Sequence, residues 1–320
     1  MDRTRIAFLG GSHSHAFDKA KVVMENPRWE LMGVSEDDPE FRAPYEKAGI
    51  PLLSRAQVLN DSSIQVIAVE SEVRDHNRDG EAALEAGKHV HLEKPPADRL
   101  AVFRSMVDAA QRKHLLLQMG YMWRYNPAIN AALEAGRKGW LGEIYVVRGT
   151  MNTLVAPRAR AEWARFKGGQ MFEQGSHIID ITARLLGRPE KVTPFLRSHG
   201  RFDDRLMDNT VAVLEYPRAF AIITAAVLQP NAWPHRFFEI LGTNGTAVVR
   251  PIEPPALAID LAKAAGPYHQ GMQTVPVRPY RRFVDDFAEL EEAVRLKKPL
   301  SVKPEEDLLV QETVMRACEM

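Results

Sequence analysis

The sequence predicts an α/β chain in two parts: a doubly wound parallel sheet over residues 1–122, then an α+β half over residues 123–320. Two observations carry this. In the first part, short apolar runs alternate with stretches of helical period, and a strand, helix, strand order joined by right-handed crossovers makes the strands parallel. Beyond about residue 125, strand candidates follow one another through tight turns, which implies an antiparallel or mixed sheet.

Taken in order, the strand candidates of the first part are "RIAFLG", "WELMGVSE", "IQVIAVES", "HVHLEKP" and "HLLLQMGY". Between them lie "AFDKAKVVME", "DHNRDGEAALEAGKH" and "RLAVFRSMVDAAQRKH", the second closed by Gly87 as a C-terminal cap. The second part opens with the helix "PAINAALEAGRKGWLG", the strand "EIYVVRGTMN" and the helix "GGQMFEQGSHIIDITARLLG". The strands "NTVAVLEYP" and "AFAIITAAVLQ" come next, then "RFFEILG" and "TAVVRP" joined through Thr243, Asn244 and Gly245, with Asn-Gly as the turn signal. Two amphipathic helices, "YRRFVDDFAELEEAVRLKK" and "PEEDLLVQETVMRACEM", end the chain.

Composition narrows the partners. The chain has 320 residues, 45% hydrophobic and 26% charged, enough for a large core in two domains. Lys plus Arg equals Asp plus Glu, 42 each, so neither a nucleic-acid groove nor an anionic membrane surface is expected, and small molecules are the expected partners. Cys318 is the single cysteine, read as a free surface thiol. The apolar stretch of "MDRTRIAFLGG" is too short for a secretory segment, and no run is long enough to span a bilayer, so a cytoplasmic location is expected.

The loop "GGSHSHAF" after the first strand stands where a dinucleotide fingerprint places three glycines. Gly10 holds the first place, Ser12 the second and His15 the third. Small Ser12 and the backbone amides at the following helix still offer an anion site, with His13 and His15 near the pyrophosphate or the helix start. A metal reading is weaker: two histidines two residues apart are part of a coordination sphere, with no cysteine or carboxylate cluster nearby in sequence, so no metal is expected. Glu36, at the end of the second strand, is placed to accept both ribose hydroxyls. Asp37 and Asp38 beside it favour NAD over NADP, although Arg42 keeps NADP open.

"AALEAGKHVHLEKPPA" (residues 82–97) resembles the signature of the glucose-fructose oxidoreductase, inositol dehydrogenase and MocA-like (Gfo/Idh/MocA) family. The likeness continues in family order through "GYMWRYNPA", "GRKGWLGEI", "GGQMFEQGSHIIDITARLLGRPEKV" and "EILGTNGTAVV". It implies a Rossmann-type NAD-binding domain over 1–122 and a substrate and oligomerisation domain on a large, open, mostly antiparallel sheet over 123–320. It also implies hydride transfer between a nicotinamide cofactor and a secondary alcohol or ketone of a sugar, cyclitol or related polyol, in a homodimer or homotetramer. Two alternatives share the fold: a ligand-sensing protein without turnover, and an NAD-using glycosidase.

Site residues follow from the same resemblance. Lys94 matches the family lysine, with Glu93 and Pro95 beside it at the cofactor; after the third strand His76 matches the family histidine, and Ser71 opens the same cofactor-binding segment. Glu173 and His177 match the family's acid and histidine, Asp180 the acid that follows. Four residues apart on a helix, Glu173 and His177 share a face, so the carboxylate can orient a ring that takes the hydroxyl proton. Lys94 would stabilise the developing alkoxide. Tyr121 and Arg124 match a substrate-lining segment, with Arg124 read equally as a substrate contact and a brace; Trp163 is read equally as a sugar-stacking face and a core residue. The chain departs from the family in its loop glycines, in Ser71, Glu72 and Val73 where Thr-Pro-Asn is usual, and in Glu173 for aspartate.

Overall fold

The computed structural model describes residues 3–320 and contains two compact units. The first comprises the chain up to Tyr121 together with Phe283–Leu308, and the second Met122–Arg282 with Leu309–Met320. Residues 283–308 therefore group with the first unit and not with the 123–320 span expected from the sequence.

In the first unit, β1 (Thr4–Leu9), α1 (Ala16–Glu25), β2 (Trp29–Ser35), α2 (Pro39–Lys47), α3 (Arg55–Asn60) and β3 (Val66–Val69) are followed by α4 (His76–Glu85), β4 (His89–Leu92), α5 (Leu100–Arg112) and β5 (Leu117–Met119). All five expected strands are present. They form one parallel sheet in the order β2-β1-β3-β4-β5, so the chain reverses direction of winding at β1. Sites in such sheets lie at the carboxyl ends of the strands, beside that reversal. The segments leaving β1, β2, β3 and β4 there carry Gly10 to His15, Glu36, Glu70 with Ser71, and Glu93 with Lys94.

The second unit contains α6 (Pro127–Arg137), β6 (Ile144–Thr150), α7 (Pro157–Trp163), α8 (Ser176–Leu186), β7 (Lys191–Arg197), β8 (Asn209–Glu215) and β9 (Phe220–Ala226). The strands β10 (Phe237–Gly242), β11 (Gly245–Val249), β12 (Leu257–Leu261) and β13 (Gly271–Val275) complete an eight-stranded sheet. Its order is β13-β12-β11-β10-β6-β9-β8-β7, antiparallel throughout except for β6 beside β9. The hairpin of β10 and β11 turns at Thr243 and Asn244, where the sequence signal lies. One sheet face packs under α6 and α8: the Gly149 backbone approaches Ile178 so closely that a Cβ would lie 2.4 Å from its Cγ2.

Returning to the first unit, α9 (Val284–Leu296) lays Phe287 against Phe8, Trp29 and His91, with Trp29 Nε1 donating to the Phe287 carbonyl at 3.2 Å. Complete burial of a phenylalanine ring is worth about 1.5–3 kcal/mol, which explains why this helix is held there. The last helix is α10 (Pro304–Ala317). Cys318 is buried, not a surface thiol: its Sγ fills the space beside Gly168, and burial pushes the thiol pKa up. No described helix is long and apolar enough to cross a membrane.

Candidate active site

In the first unit the loop after β1 begins at Gly10 with φ +83°, and a Cβ there would lie 2.4 Å from the Ser71 amide nitrogen. Only glycine allows this turn and this approach. Glu36 at the end of β2 accepts the Gly11 amide on one oxygen at 2.8 Å and the Asp38 amide on the other at 2.9 Å, while Arg42 Nε donates to the Glu36 carbonyl at 2.7 Å. The carboxylate is thus fixed beside the loop.

Glu93 at the end of β4 is the hub. Its Oε1 accepts from the Lys19 ammonium at 2.6 Å and lies 2.8 Å from His15 Nδ1 and 3.6 Å from His13 Nδ1; its Oε2 accepts the Lys94 amide at 2.9 Å. Lys19 is fully buried and also donates to Glu70 at 2.6 Å, with His91 Nε2 2.9 Å away. The His15 ring, at the place of the third glycine, turns to Glu93 and packs 5.2 Å from the Phe283 ring. Farther along, His76 spans the Pro95 carbonyl at 2.8 Å and the Ser71 carbonyl at 3.0 Å, joining the segments that follow β3 and β4.

Burial sets the charge states. It lowers His15 and His91 to about 3 and His76 to about 4, so all three rings are neutral near pH 7. Burial opposes ionisation of Glu93, but Lys19, His13 and His15 outweigh it and hold the carboxyl well below its usual range. Burial likewise opposes the charge on Lys19, and Glu70 and Glu93 overcome it and raise its pKa. Glu70 is pushed up to about 7 by burial, against the pull of Lys19.

The structure brings His13, His15 and Glu93 together, with candidate ligand atoms within 4.8 Å of one another. Sequence proximity alone missed this, because Glu93 is 78 residues beyond His15. The Lys19 ammonium, 2.6 Å from the same Glu93 oxygen, places a positive charge where a cation would have to approach. The loop is better matched to a dinucleotide. The amides of Ser12 and Ser14 remain as donors at the start of α1, and Ser71 Oγ is buried without a protein partner. Together with the Gly10 turn and Glu36, these groups fit a pyrophosphate and its adjoining ribose.

In the second unit, Glu173 lies in a single π-helical turn, Met171–Gly175, that runs directly into α8 and His177. The expected uninterrupted α-helix is therefore widened at the acid, a local device common at functional sites. Glu173 and His177 are 4% and 2% exposed, and the His177 ring lies 5.1 Å from that of Trp123. Arg124 Nε and Nη2 donate to Asp180 Oδ1 at 2.9 and 2.6 Å, leaving Asp180 Oδ2 buried and unpartnered. Tyr121, in the first unit, is buried. Trp163 packs against Leu206 and Val227 in an apolar cluster, which is the core role and not a stacking face.

Residues 4–121 match the model of an oxidoreductase family with an NAD-binding Rossmann fold, and residues 129–248 match a GFO/IDH/MocA C-terminal domain. Among curated relatives, scyllo-inositol 2-dehydrogenase (NADP(+)) IolW of Bacillus subtilis is 26% identical over 195 residues, 60% of this chain and 53% of that protein. Trans-1,2-dihydrobenzene-1,2-diol dehydrogenase of Macaca fuscata fuscata is 30% identical over 203 residues, 61% of this chain and 57% of that one. The chain thus spans little more than half the length of these relatives. Among solved structures, GenD2 from gentamicin A biosynthesis, in complex with NAD, superposes with a TM-score of 0.82 at 20% identity, covering 99% of this chain and 93% of that one. At that identity the likeness shows the fold.

Sequence reasoning missed Lys19, Glu70, His91 and Asp286. A signal for Lys19 was present: it stands on the stripe of α1 formed by Ala16, Ala20 and Val23, where an apolar residue is expected. Asp286 is buried with both carboxyl oxygens unpartnered, and burial pushes it from 3.8 up to about 7. A carboxyl raised in the folded state stabilises fully below its unfolded pKa, and that contribution is lost as pH rises through the folded value. Asp286→Asn, which cannot ionise, should therefore gain stability relative to the parent as pH rises from about 4 to about 7 in urea unfolding. A difference independent of pH would contradict this placement.

Proposed function

The chain belongs to the Gfo/Idh/MocA family of oxidoreductases, and on that premise we propose that it is an NAD-dependent dehydrogenase of a secondary alcohol on a sugar-like or cyclitol-like polyol. The observation that carries the reading is the buried Glu173, set in a π turn that leads straight into the buried His177. When bound, a nicotinamide dinucleotide supplies the hydride acceptor. His177 takes the proton of the reacting hydroxyl, and Glu173 orients the ring for that transfer. Lys94, its backbone fixed by Glu93, provides a cation for the developing alkoxide. The Arg124–Asp180 pair stiffens the start of the second unit beneath α8 and leaves one Asp180 oxygen for a substrate hydroxyl.

In the first unit, Glu36 and the Gly10 turn hold the adenosine ribose and the pyrophosphate with the amides of Ser12 and Ser14. The carboxylate of Glu36 favours a free ribose over a 2′-phosphate, supporting NAD over NADP. His13 and His15 do not touch phosphate as acids in this reading; they fix Glu93, and His76 with Ser71 and Pro95 braces the neighbouring turn.

Lys94→Ala and His177→Ala should each lower kcat/KM by about 10²–10⁴-fold in an assay of NADH formation over a polyol panel, while NADH binding is retained. Undiminished turnover in either variant would remove that residue from the chemistry.

We also propose that subunits pair through the uncovered face of the eight-stranded sheet. Phe195, Phe220 and Ile222 stand 47%, 52% and 38% exposed on it, and Ile222 lies between Arg148 and Val213 in register. Sedimentation should show a dimer or tetramer that Ile222→Lys dissociates. A monomeric parent chain would exclude this face as an interface.

A further inference from the structure

The second unit holds a buried cation that the chemistry above does not use. Arg236, just before β10, is 4% exposed. Its Nε donates to the Asn152 carbonyl at 2.8 Å, and its guanidinium sits 4.4 Å from the centre of the Trp233 ring. Among the described residues, no protein group accepts from either terminal nitrogen. A guanidinium carries five N–H donors in a planar fork, so one is used and the far edge is open.

Arg282 makes the contrast. Its guanidinium lies 4.5 Å from the centre of the same Trp233 ring, yet its fork is closed by a two-point ion pair with Glu253. Of the two arginines on that indole, one has an edge of its fork on a carboxylate and the other does not. The charged groups facing Arg236 are Arg282, Glu253 and Glu173; burial, followed by Arg282, brings its pKa down to about 10, with Glu253 and Glu173 acting the other way. Glu253 is already engaged by Arg282. A buried cation with an open donor edge is costly unless an anion arrives to complete it.

Backbone connections link Arg236 to the Glu173 turn. Arg236 is tied to the carbonyl of Asn152, and the preceding carbonyl, that of Met151, accepts from Gln170 Nε2 at 3.4 Å. Gln170 leads directly into the π turn that carries Glu173. Arg236 and the Glu173 turn are therefore anchored at successive carbonyls of one segment, the extension of β6.

We propose that Arg236 is the specificity-determining residue for an oxyanion on the substrate, so that the polyol is an acidic one whose carboxylate or phosphate group takes the open edge of the guanidinium. This rests on the dehydrogenase reading only for calling the ligand a substrate. Two parallel N–H donors match the two oxygens of such a group, whereas a neutral hydroxyl leaves most of the fork unpaired.

Calorimetric titration of the full chain, with and without NADH, would compare D-glucuronate, D-glucose 6-phosphate and D-glucose as probes. One anion should bind about tenfold or more tightly than D-glucose, and which one does so separates carboxylate from phosphate. Equal affinity for all three, or no binding of any, would overturn the proposal. Arg236→Gln should reduce the preferred anion to the level of D-glucose, and Arg236→Lys should keep part of the preference; full preference in Arg236→Gln would also overturn it. If Arg236→Gln fails to fold, the comparison in the parent chain decides. Anion preference without NADH formation would refute the dehydrogenase reading while supporting this one.

Discussion

The first unit depends on the ion pair between Lys19 and Glu93, both buried. Removing Lys19 would strand the Glu93 carboxylate in the core, at a cost of about 3–5 kcal/mol, whereas removing Glu93 would leave Lys19 with Glu70 alone. Glu93 does more than balance Lys19: it orients His15 and His13 with one oxygen and secures the Lys94 backbone with the other. One carboxylate therefore connects the loop after β1, the helix α1 and the turn that carries Lys94.

That arrangement explains how a loop with one fingerprint glycine keeps its shape. In the usual loop, a third glycine lets the helix approach the strand. Here the His15 ring is accommodated because Glu93 draws it aside and Phe283 covers it. The ring is neutral, since burial lowers its pKa, so it adds no cation of its own to the loop. Gly10 remains glycine because the Ser71 backbone occupies the space a side chain would need.

Much of the fold was legible in the sequence because its signals are local. Each parallel strand was an apolar run of the right length, and Asn244 with Gly245 marked the hairpin of β10 and β11. Glu36, Lys94, Glu173 and His177 could be put forward as candidates from motif position. What sequence could not show was long-range: Glu93 reaching His15, Phe287 returning to cover Phe8 and Trp29, and Cys318 filling the hollow at Gly168. Trp163 was ambiguous because one aromatic ring serves equally well in a core or under a sugar, and only its neighbours Leu206 and Val227 decide. The π turn at Glu173 was hidden for a similar reason, since a helical period does not reveal one inserted residue.

The central claim is that the histidine-bearing loop beside Glu36 still receives a dinucleotide, and does so without a 2′-phosphate. Titrating the purified chain with NADH and then NADPH, following the fluorescence of the reduced nicotinamide, tests it directly. Saturable binding of NADH at lower concentration than NADPH is the result this structure predicts; no saturable binding of either, or a clear preference for NADPH, would contradict it.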